Sequence, residues 1–184
     1  GDLPLAATIL EELAARDASE RTIWEPLLDV YRRMGAKDRL SARIESVLEN
    51  VYDVNERNKL RVERARILAE SPSTVDDAAA SLRTCLEDDP GDVDAAQLLA
   101  DLLEKSGKAD ELDEFLRWQL DGARDRADGR AVVAISLRLA NRWGNSRRDD
   151  VIALYRGALD WAPTDASLLR ALLTQYGPND DPND

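Results

Sequence analysis

The stretch WEPLLDVYRRMG, residues 24–35, decides the fold of this chain. Trp24, Leu27 and Tyr31 recur at steps of three and four residues, and Gly35 follows four residues later. Because an α-helix turns by ~100° per residue, the three apolar side chains form one stripe on a helix. Gly35 then lets the chain turn back, since glycine adopts a left-handed conformation without a Cβ clash. The stretch therefore predicts a helix that packs against the helix that follows it.

The same pattern returns at a fixed interval. At an offset of 72 residues, seven spaced positions keep their apolar or glycine character. These are Trp24, Leu27, Tyr31, Gly35, Leu40, Ile44 and Leu48, matched by Ala96, Leu99, Leu103, Gly107, Leu112, Leu116 and Leu120. The segments DDAAASLRTCLEDDP (76–90) and DDVIALYRGALDWAP (149–163) agree at six of fifteen positions, at an offset of 73. Both offsets are two units of about 36 residues, which indicates a repeat protein.

Helical periodicity covers almost the whole chain, and strand-like alternation is hard to find. Glycine and proline divide the pattern into about ten helices joined by short connections, which predicts antiparallel hairpins. We expect these helices near 4–17, 20–34, 37–52, 55–70, 75–88, 92–106, 109–126, 129–143, 147–161 and 165–176.

These repeats resemble the tetratricopeptide repeat (TPR). Trp24, Leu27, Tyr31 and Gly35 match its first helix and turn. Two segments match its second helix: Val151, Tyr155, Ala158, Leu159 and Pro163, and Ala78, Leu82, Cys85, Leu86 and Pro90. The likeness is to divergent bacterial arrays in which two repeat types alternate. The unit near LRLANRWGNSRRDD, residues 137–150, is shorter than the pattern.

The fold class expected from this resemblance is all-α, an α–α superhelix (solenoid) of TPR-like antiparallel hairpins. We expect one solenoid domain over residues 1–177 and a disordered acidic tail over 178–184. Within the domain we expect a half unit at 1–18, repeats near 20–53, 54–89, 92–126 and 128–162, and a terminal helix at 164–177.

Composition narrows the function. A net charge of −12 argues against nucleic acid as the main ligand, because phosphate binding needs clustered cations. The absence of histidine removes the usual general base and the commonest metal ligand, so we expect no enzyme activity, cofactor or metal. No apolar run approaches the ~20 residues that span a bilayer, which favours a cytoplasmic protein without a membrane partner.

Three features of the sequence carry specific expectations. Cys85 occupies a small apolar position of a second helix and is expected to be a buried structural thiol. The segment DDPGDVD, residues 88–94, is expected to cap a helix rather than to bind calcium. Trp118, Trp143 and Trp161 are either packing residues or exposed anchors for a partner, and we favour packing.

The resemblance implies a binding function. TPR arrays hold a peptide or protein in a groove lined by the first helix of each hairpin. Here the residues expected to line this groove are Thr22, Glu25, Asp29, Arg32, Asp94, Gln97, Asp101 and Glu104. This wall is mainly acidic, so the expected partner is a protein segment of basic character. The intervening helix adds Arg57, Lys59, Arg61, Arg64 and Arg66, which either give the groove mixed charge or form a solvated basic face.

Two other roles stay open. In the first, the chain is a structural spacer of a larger repeat protein, with homo-oligomerisation through the ends of the stack. In the second, it is a regulatory region of an enzyme whose catalytic domain lies outside this chain.

Overall fold

A computed structural model describes residues 2–176, which contain ten α-helices and no β-strand. The helices are α1 (Leu3–Ala14), α2 (Arg21–Met34), α3 (Lys37–Val47), α4 (Val54–Leu68), α5 (Val75–Asp88), α6 (Val93–Lys105), α7 (Ala109–Asp125), α8 (Gly129–Trp143), α9 (Arg148–Leu159) and α10 (Ala166–Gln175). The all-α prediction is confirmed, and the helix positions agree with it to within a few residues. The largest difference is in α3, which ends at Val47 and continues as a 3-10 turn over Leu48–Asn50. The predicted tail, 178–184, lies outside the described residues.

The chain forms two compact units. Unit 1 comprises Gly1–Gly107, with α1 to α6, and unit 2 begins at Lys108, with α7 to α10. Within each unit every helix packs mainly against its neighbours in the sequence, as in a solenoid of helical hairpins. The prediction of a single domain over 1–177 stays a prediction.

The opening stretch forms the core of unit 1. Trp24, Leu27 and Tyr31 are all buried on α2, where they join one cluster with residues of α1, α3 and α4. On α3, Leu40 and Ile44 are buried as well. Each hairpin thus depends on the helices before and after it for cover.

Aspartate marks the start of the first helices. Asp53, Asp92, Asp128 and Asp165 stand immediately before α4, α6, α8 and α10, and each carboxylate accepts a hydrogen bond from a backbone N–H of the first turn. Such a cap satisfies an N–H that has no partner within the helix. The capping role expected for 88–94 is therefore confirmed at Asp92, while Asp89 accepts a bond from the Gly91 N–H.

The ends of three helices use the left-handed conformation. Gly35 (φ 65°) and Gly107 (φ 68°) end α2 and α6 in this way, and Ala127 (φ 54°) does so after α7. A 3-10 turn, Gly144–Arg147, joins α8 directly to α9, but α8 and α10 start 37 residues apart, so the shortening expected near 137–150 is not seen in the helix spacing.

The prediction of packing for three tryptophans, Trp118, Trp143 and Trp161, is correct only for Trp143. Trp143 is half-buried, and its indole N–H donates to Asp113 at 2.8 Å. Trp118 and Trp161 are instead 46% and 40% exposed. Trp118 is exposed because it lies on the side of α7 opposite the buried Leu116 and Ala123.

Candidate binding groove

A concave feature of unit 1 lies where the first helices α2, α4 and α6 come together. It is a cavity of about 630 Å³, which we call the first-helix groove. Its lining comprises Tyr31, Arg32, Gly35, Lys37, Leu40, Lys59, Val62, Glu63, Arg66, Ile67, Asp92 and Asp94. The groove combines an apolar floor with charged walls, as protein recognition sites commonly do.

Tyr31, Leu40 and Val62 form the buried part of the floor, and the half-buried Ile67 extends it. The Tyr31 hydroxyl donates to Oε1 of Glu11 on α1 at 2.7 Å. Burial, together with this bond to Glu11, raises the pKa of Tyr31 to about 12. The hydroxyl therefore stays protonated at neutral pH and holds the ring in place between α1 and the groove.

Two double hydrogen bonds tie α2 to α4. Arg32 donates to both carboxylate oxygens of Glu63, at 2.7 and 2.8 Å, and Arg21 donates to both oxygens of Glu56, at 2.6 and 3.0 Å. Such paired contacts between guanidinium and carboxylate fix geometry as well as charge. The bond to Glu63 also raises the pKa of Arg32.

The other cations of the groove differ in whether they form an ion pair. Lys37 is 2.6 Å from Glu70, and Arg66 is 3.8 Å from Asp94. Lys59 is exposed and has no ion pair or hydrogen bond with any residue of 2–176. Lys59 is thus a lining charge that is available to a ligand.

The basic residues of α4 divide between two sides of the helix. Arg57 and Arg61 both contact Asp88 on α5, at 3.1 and 2.6 Å, and Arg64 contacts Glu45 on α3 at 2.8 Å. Hydrogen bonds from Arg61 and then Arg57 lower the pKa of Asp88.

Only Lys59 and Arg66 of the five cations line the groove. The lining of this cavity therefore carries charges of both signs, and the remaining three cations of α4 are held in ion pairs with α5 and α3.

The eight residues predicted for the groove all lie on the first helices α2 and α6. Arg32 and Asp94 line the cavity, whereas Thr22, Glu25, Asp29, Gln97, Asp101 and Glu104 lie elsewhere on these helices. Of these six, five are exposed and Asp101 is half-buried, where it accepts a 2.7 Å hydrogen bond from Gln97. Asp94, Asp101 and Glu104 lie on one side of α6, and their role in binding stays a prediction.

Sequence reasoning missed the apolar floor and the contribution of α3. Lys37 and Leu40 belong to a second helix, which the repeat pattern assigns to packing rather than to binding. They reach the groove because the tight turn at Gly35 brings the start of α3 beside the end of α2. This turn was the signal that could have identified them.

Other kinds of site find little support in the described residues. Cys85 is buried, as predicted, and burial raises the pKa of its thiol to about 11, which makes it a poor nucleophile. Residues 2–176 hold no group of three or more carboxylate or thiol side chains placed to bind a metal. Within the same range, no helix has the length and hydrophobicity needed to cross a bilayer.

Comparisons with known proteins support the fold. Neither a scan against models of protein families nor a search of curated proteins finds a match. Among solved structures, YrrB, a TPR protein with an unusual peptide-binding site, is similar with a TM-score of 0.52 at 16% identity. That match covers 92% of this chain and 83% of YrrB.

Two further structures match with lower scores. BtubC from P. vanneervenii has a TM-score of 0.49 at 13% identity, covering 95% of this chain and 80% of its own. A thermophilic TPR protein of Thermus thermophilus has 0.42 at 15% identity, covering 94% of this chain and 90% of its own. The helical hairpins of both units, their repeat spacing and the likeness to YrrB together establish that this chain has a TPR-like α-solenoid fold.

Proposed function

We propose that this protein is a non-catalytic interaction module that binds a peptide or protein segment in the first-helix groove. The observation that carries the proposal is the cavity itself, in which a buried apolar floor adjoins the unpaired Lys59. An apolar side chain on this floor would lose water-exposed surface, which is the main source of affinity in such sites. The fold likeness to YrrB, which is described as having a peptide-binding site, supports the same function.

The charges around the cavity suggest the chemistry of the ligand. Lys59 would pair with a carboxylate or a backbone carbonyl of the bound segment. On α6, Asp94, Asp101 and Glu104 would face basic residues of that segment, and the net charge of −12 would speed the approach of such a ligand. We therefore propose a ligand with an apolar anchor flanked by at least one basic residue.

A selection from a displayed library of random 12-residue peptides tests this function directly. We expect the protein to enrich peptides that carry an apolar residue next to Lys or Arg. Synthetic versions of the enriched peptides would then be titrated by isothermal calorimetry against Lys59→Trp, in which a bulky ring replaces a flexible exposed side chain at the cavity. We expect this change to weaken binding about ten-fold or more, because the ring occupies the space of the anchor.

The matched control is Lys105→Trp, which makes the same exchange at an exposed position of α6 away from the cavity. It should leave the affinity unchanged. Failure to enrich any peptide, or equal binding by Lys59→Trp and the unchanged protein, would refute binding in this groove. The basic character of the ligand has its own test, since affinity should fall as NaCl rises from 50 to 500 mM.

A structural role is the second candidate, favoured by the surface of α1. Leu5, Ile9 and Leu13 are 56%, 50% and 39% exposed and recur every four residues. Counting 72 residues forward, the matching positions on α5 are Asp77, Ser81 and Cys85. At two of its three positions, the stripe of α1 therefore has an apolar residue where the matching residue of α5 is polar.

This stripe suits contact with a second copy of the chain. Sedimentation velocity between 5 and 200 μM would show association that Leu5→Lys with Ile9→Lys abolishes. A sedimentation coefficient that does not change with concentration would exclude this role.

A further inference from the structure

A stacked aromatic pair with one exposed member stands out on α7 in unit 2. Trp118 is 46% exposed, and its ring stacks on the half-buried Phe115 with centroids 6.0 Å apart and an angle of 24° between the rings. At ~100° per residue, Trp118 lies within about 60° of Glu114, Asp121 and Asp125 on the helix surface. We call these five residues the α7 aromatic face.

The repeat fold does not require an aromatic residue at this position. In the second helix of each complete hairpin we count six residues from its first buried apolar position: Leu40 in α3, Ala78 in α5, Leu112 in α7 and Val151 in α9. The residues reached are Ser46, Thr84, Trp118 and Gly157. Three of the four are small, so Trp118 has no counterpart in the packing of the other hairpins.

The contrast with Trp143 in the same unit shows what Trp118 lacks. The guanidinium groups of Arg117 and Arg147 lie 5.3 and 4.2 Å from the centre of the Trp143 ring, and its indole N–H is bonded to Asp113. Among the described residues no cation lies over Trp118, whose ring contact is with Phe115. Trp118 thus offers an open aromatic surface to an incoming group.

The surroundings of this surface hold three carboxylates, while the guanidinium of Arg126 lies beside Gly122, one turn from Trp118. Glu114 and Asp125 are exposed and make no hydrogen bond or ion pair with any residue of 2–176. Asp121 has a single contact, with Arg124 at 3.3 Å, and its side chain is 72% exposed. A cation placed over the indole would therefore meet both the ring and two or three carboxylates.

We propose that the α7 aromatic face is a second binding surface, specific for an arginine-bearing peptide segment whose guanidinium stacks on Trp118 between these carboxylates. Arginine fits better than lysine because its planar group stacks on the ring while its N–H groups reach the neighbouring carboxylates. Each part of the surface has a role: Phe115 supports the ring from beneath, Trp118 provides area, and Glu114 and Asp125 provide charge. The proposal is independent of the first-helix groove, since every residue it uses lies in unit 2.

The test uses a capped nine-residue peptide of glycine and serine with arginine at its third and sixth positions. It is titrated into the isotopically labelled full chain and followed by amide and indole NMR signals. We expect the indole N–H signal of Trp118 and the amide signals of 114–125 to shift. A peptide with citrulline in place of arginine, which keeps the shape but not the charge, should bind about ten-fold more weakly.

Two variants separate this surface from general attraction to an acidic protein. Trp118→Ser, which installs the residue of α3, should weaken binding at least about five-fold, and Glu114→Gln with Asp125→Asn should do so as well. Trp161→Ser removes another exposed tryptophan of unit 2 and should have no effect. Circular dichroism and thermal unfolding check that each variant is folded.

Three results would overturn the proposal. The first is equal binding by Trp118→Ser and the unchanged chain, or by the arginine and citrulline peptides. The second is an absence of shifts in 114–125 at millimolar peptide. The third is concentration-dependent self-association that Trp118→Ser removes, because the occupant would then be a second copy of this chain.

Discussion

Asn58 and Cys85 each bond to the backbone of the other across the α4–α5 hairpin. The amide Nδ2 of Asn58 donates to the carbonyl oxygen of Cys85 at 3.3 Å, and the Cys85 thiol donates to the carbonyl oxygen of Asn58 at 3.8 Å. Both residues are buried, and Oδ1 of Asn58 also accepts a 3.0 Å bond from Arg61. The buried side of this hairpin thus has a polar contact that fixes the register of its two helices, in addition to the ion pairs that Arg57 and Arg61 make with Asp88.

Replacing Asn58 should destabilise unit 1. We expect Asn58→Ala to lower the free energy of unfolding by about 1 to 3 kcal/mol, because one buried and one partly buried hydrogen bond are lost and a small void remains. Urea unfolding followed by circular dichroism measures the change. Asn55→Ala, an exposed position of the same helix, is the control and should change stability by less than about 0.5 kcal/mol. Similar values for both variants would contradict a structural role for the Asn58 contact.

The thiol of Cys85 should make stability depend on pH in the alkaline range. Burial raises its pKa from an ordinary 9.0 to about 11, so the folded state favours the protonated thiol. This contribution is complete below pH 9 and is lost as pH rises through 11. The stability difference between the unchanged chain and Cys85→Ala should therefore shrink from pH 8 to pH 10.5. A constant difference over this range would show that the thiol has the same pKa in both states.

Truncating the apolar stripe tests the core that the opening stretch predicts. Leu27 is 1% exposed, and we expect Leu27→Ala to cost about 2 to 5 kcal/mol through lost burial and a residual cavity. Leu103, the matching residue in α6 and equally buried, should respond in the same way. Leu5→Ala is the control, since this side chain is 56% exposed. An unchanged melting temperature for Leu27→Ala would be incompatible with the core described here.

The left-handed helix ends allow a matched pair of substitutions. Gly35 and Ala127 have similar positive φ values and the same pair of backbone hydrogen bonds to the preceding turn. A Cβ at Gly35 would meet no atom within 4 Å, so Gly35→Ala should destabilise by about 1 kcal/mol through backbone conformation alone. Ala127→Gly should stabilise by about 0.5 to 1 kcal/mol for the same reason. Thermal unfolding measures both, and changes of the same sign would exclude this explanation.

A buried hydroxyl in unit 2 should be dispensable. The Oγ of Ser136 on α8 is fully buried and has no hydrogen-bond partner among the described residues. Because burying an unpaired hydroxyl costs free energy, Ser136→Ala should raise the stability by about 1 kcal/mol. Ser146→Ala is the comparison, since that exposed hydroxyl donates to the Trp143 carbonyl at 2.7 Å, and it should give no gain. Destabilisation by Ser136→Ala would indicate that the hydroxyl has a partner after all.

Most of the fold could be predicted because its causes are local. Helical periodicity, the turn at Gly35 and the short connections all act over a few residues, and they placed ten helices close to their observed bounds. The aspartate caps were a further periodic signal, since Asp92, Asp128 and Asp165 are separated by 36 and 37 residues. The exposure of Trp118 could also have been predicted from the sequence, because Trp118 lies on the side of α7 opposite Leu116.

The first-helix groove was harder to predict from the sequence. Which cations of α4 face the groove depends on the partners available on α3 and α5. Asp88 draws Arg57 and Arg61 away, and no sequence pattern within α4 reveals this. The apolar floor likewise could not be predicted, because residues of adjoining helices form it together.

Packing between sequence neighbours has a consequence for how this protein can change. A substitution on the solvent side of one hairpin disturbs at most the two seams that border it, so the other hairpins tolerate it without adjustment. Trp118 stands where three sister helices carry serine, threonine and glycine, which is the outcome such tolerance allows. Each layer of the stack can acquire its own recognition chemistry while the scaffold beneath it stays the same.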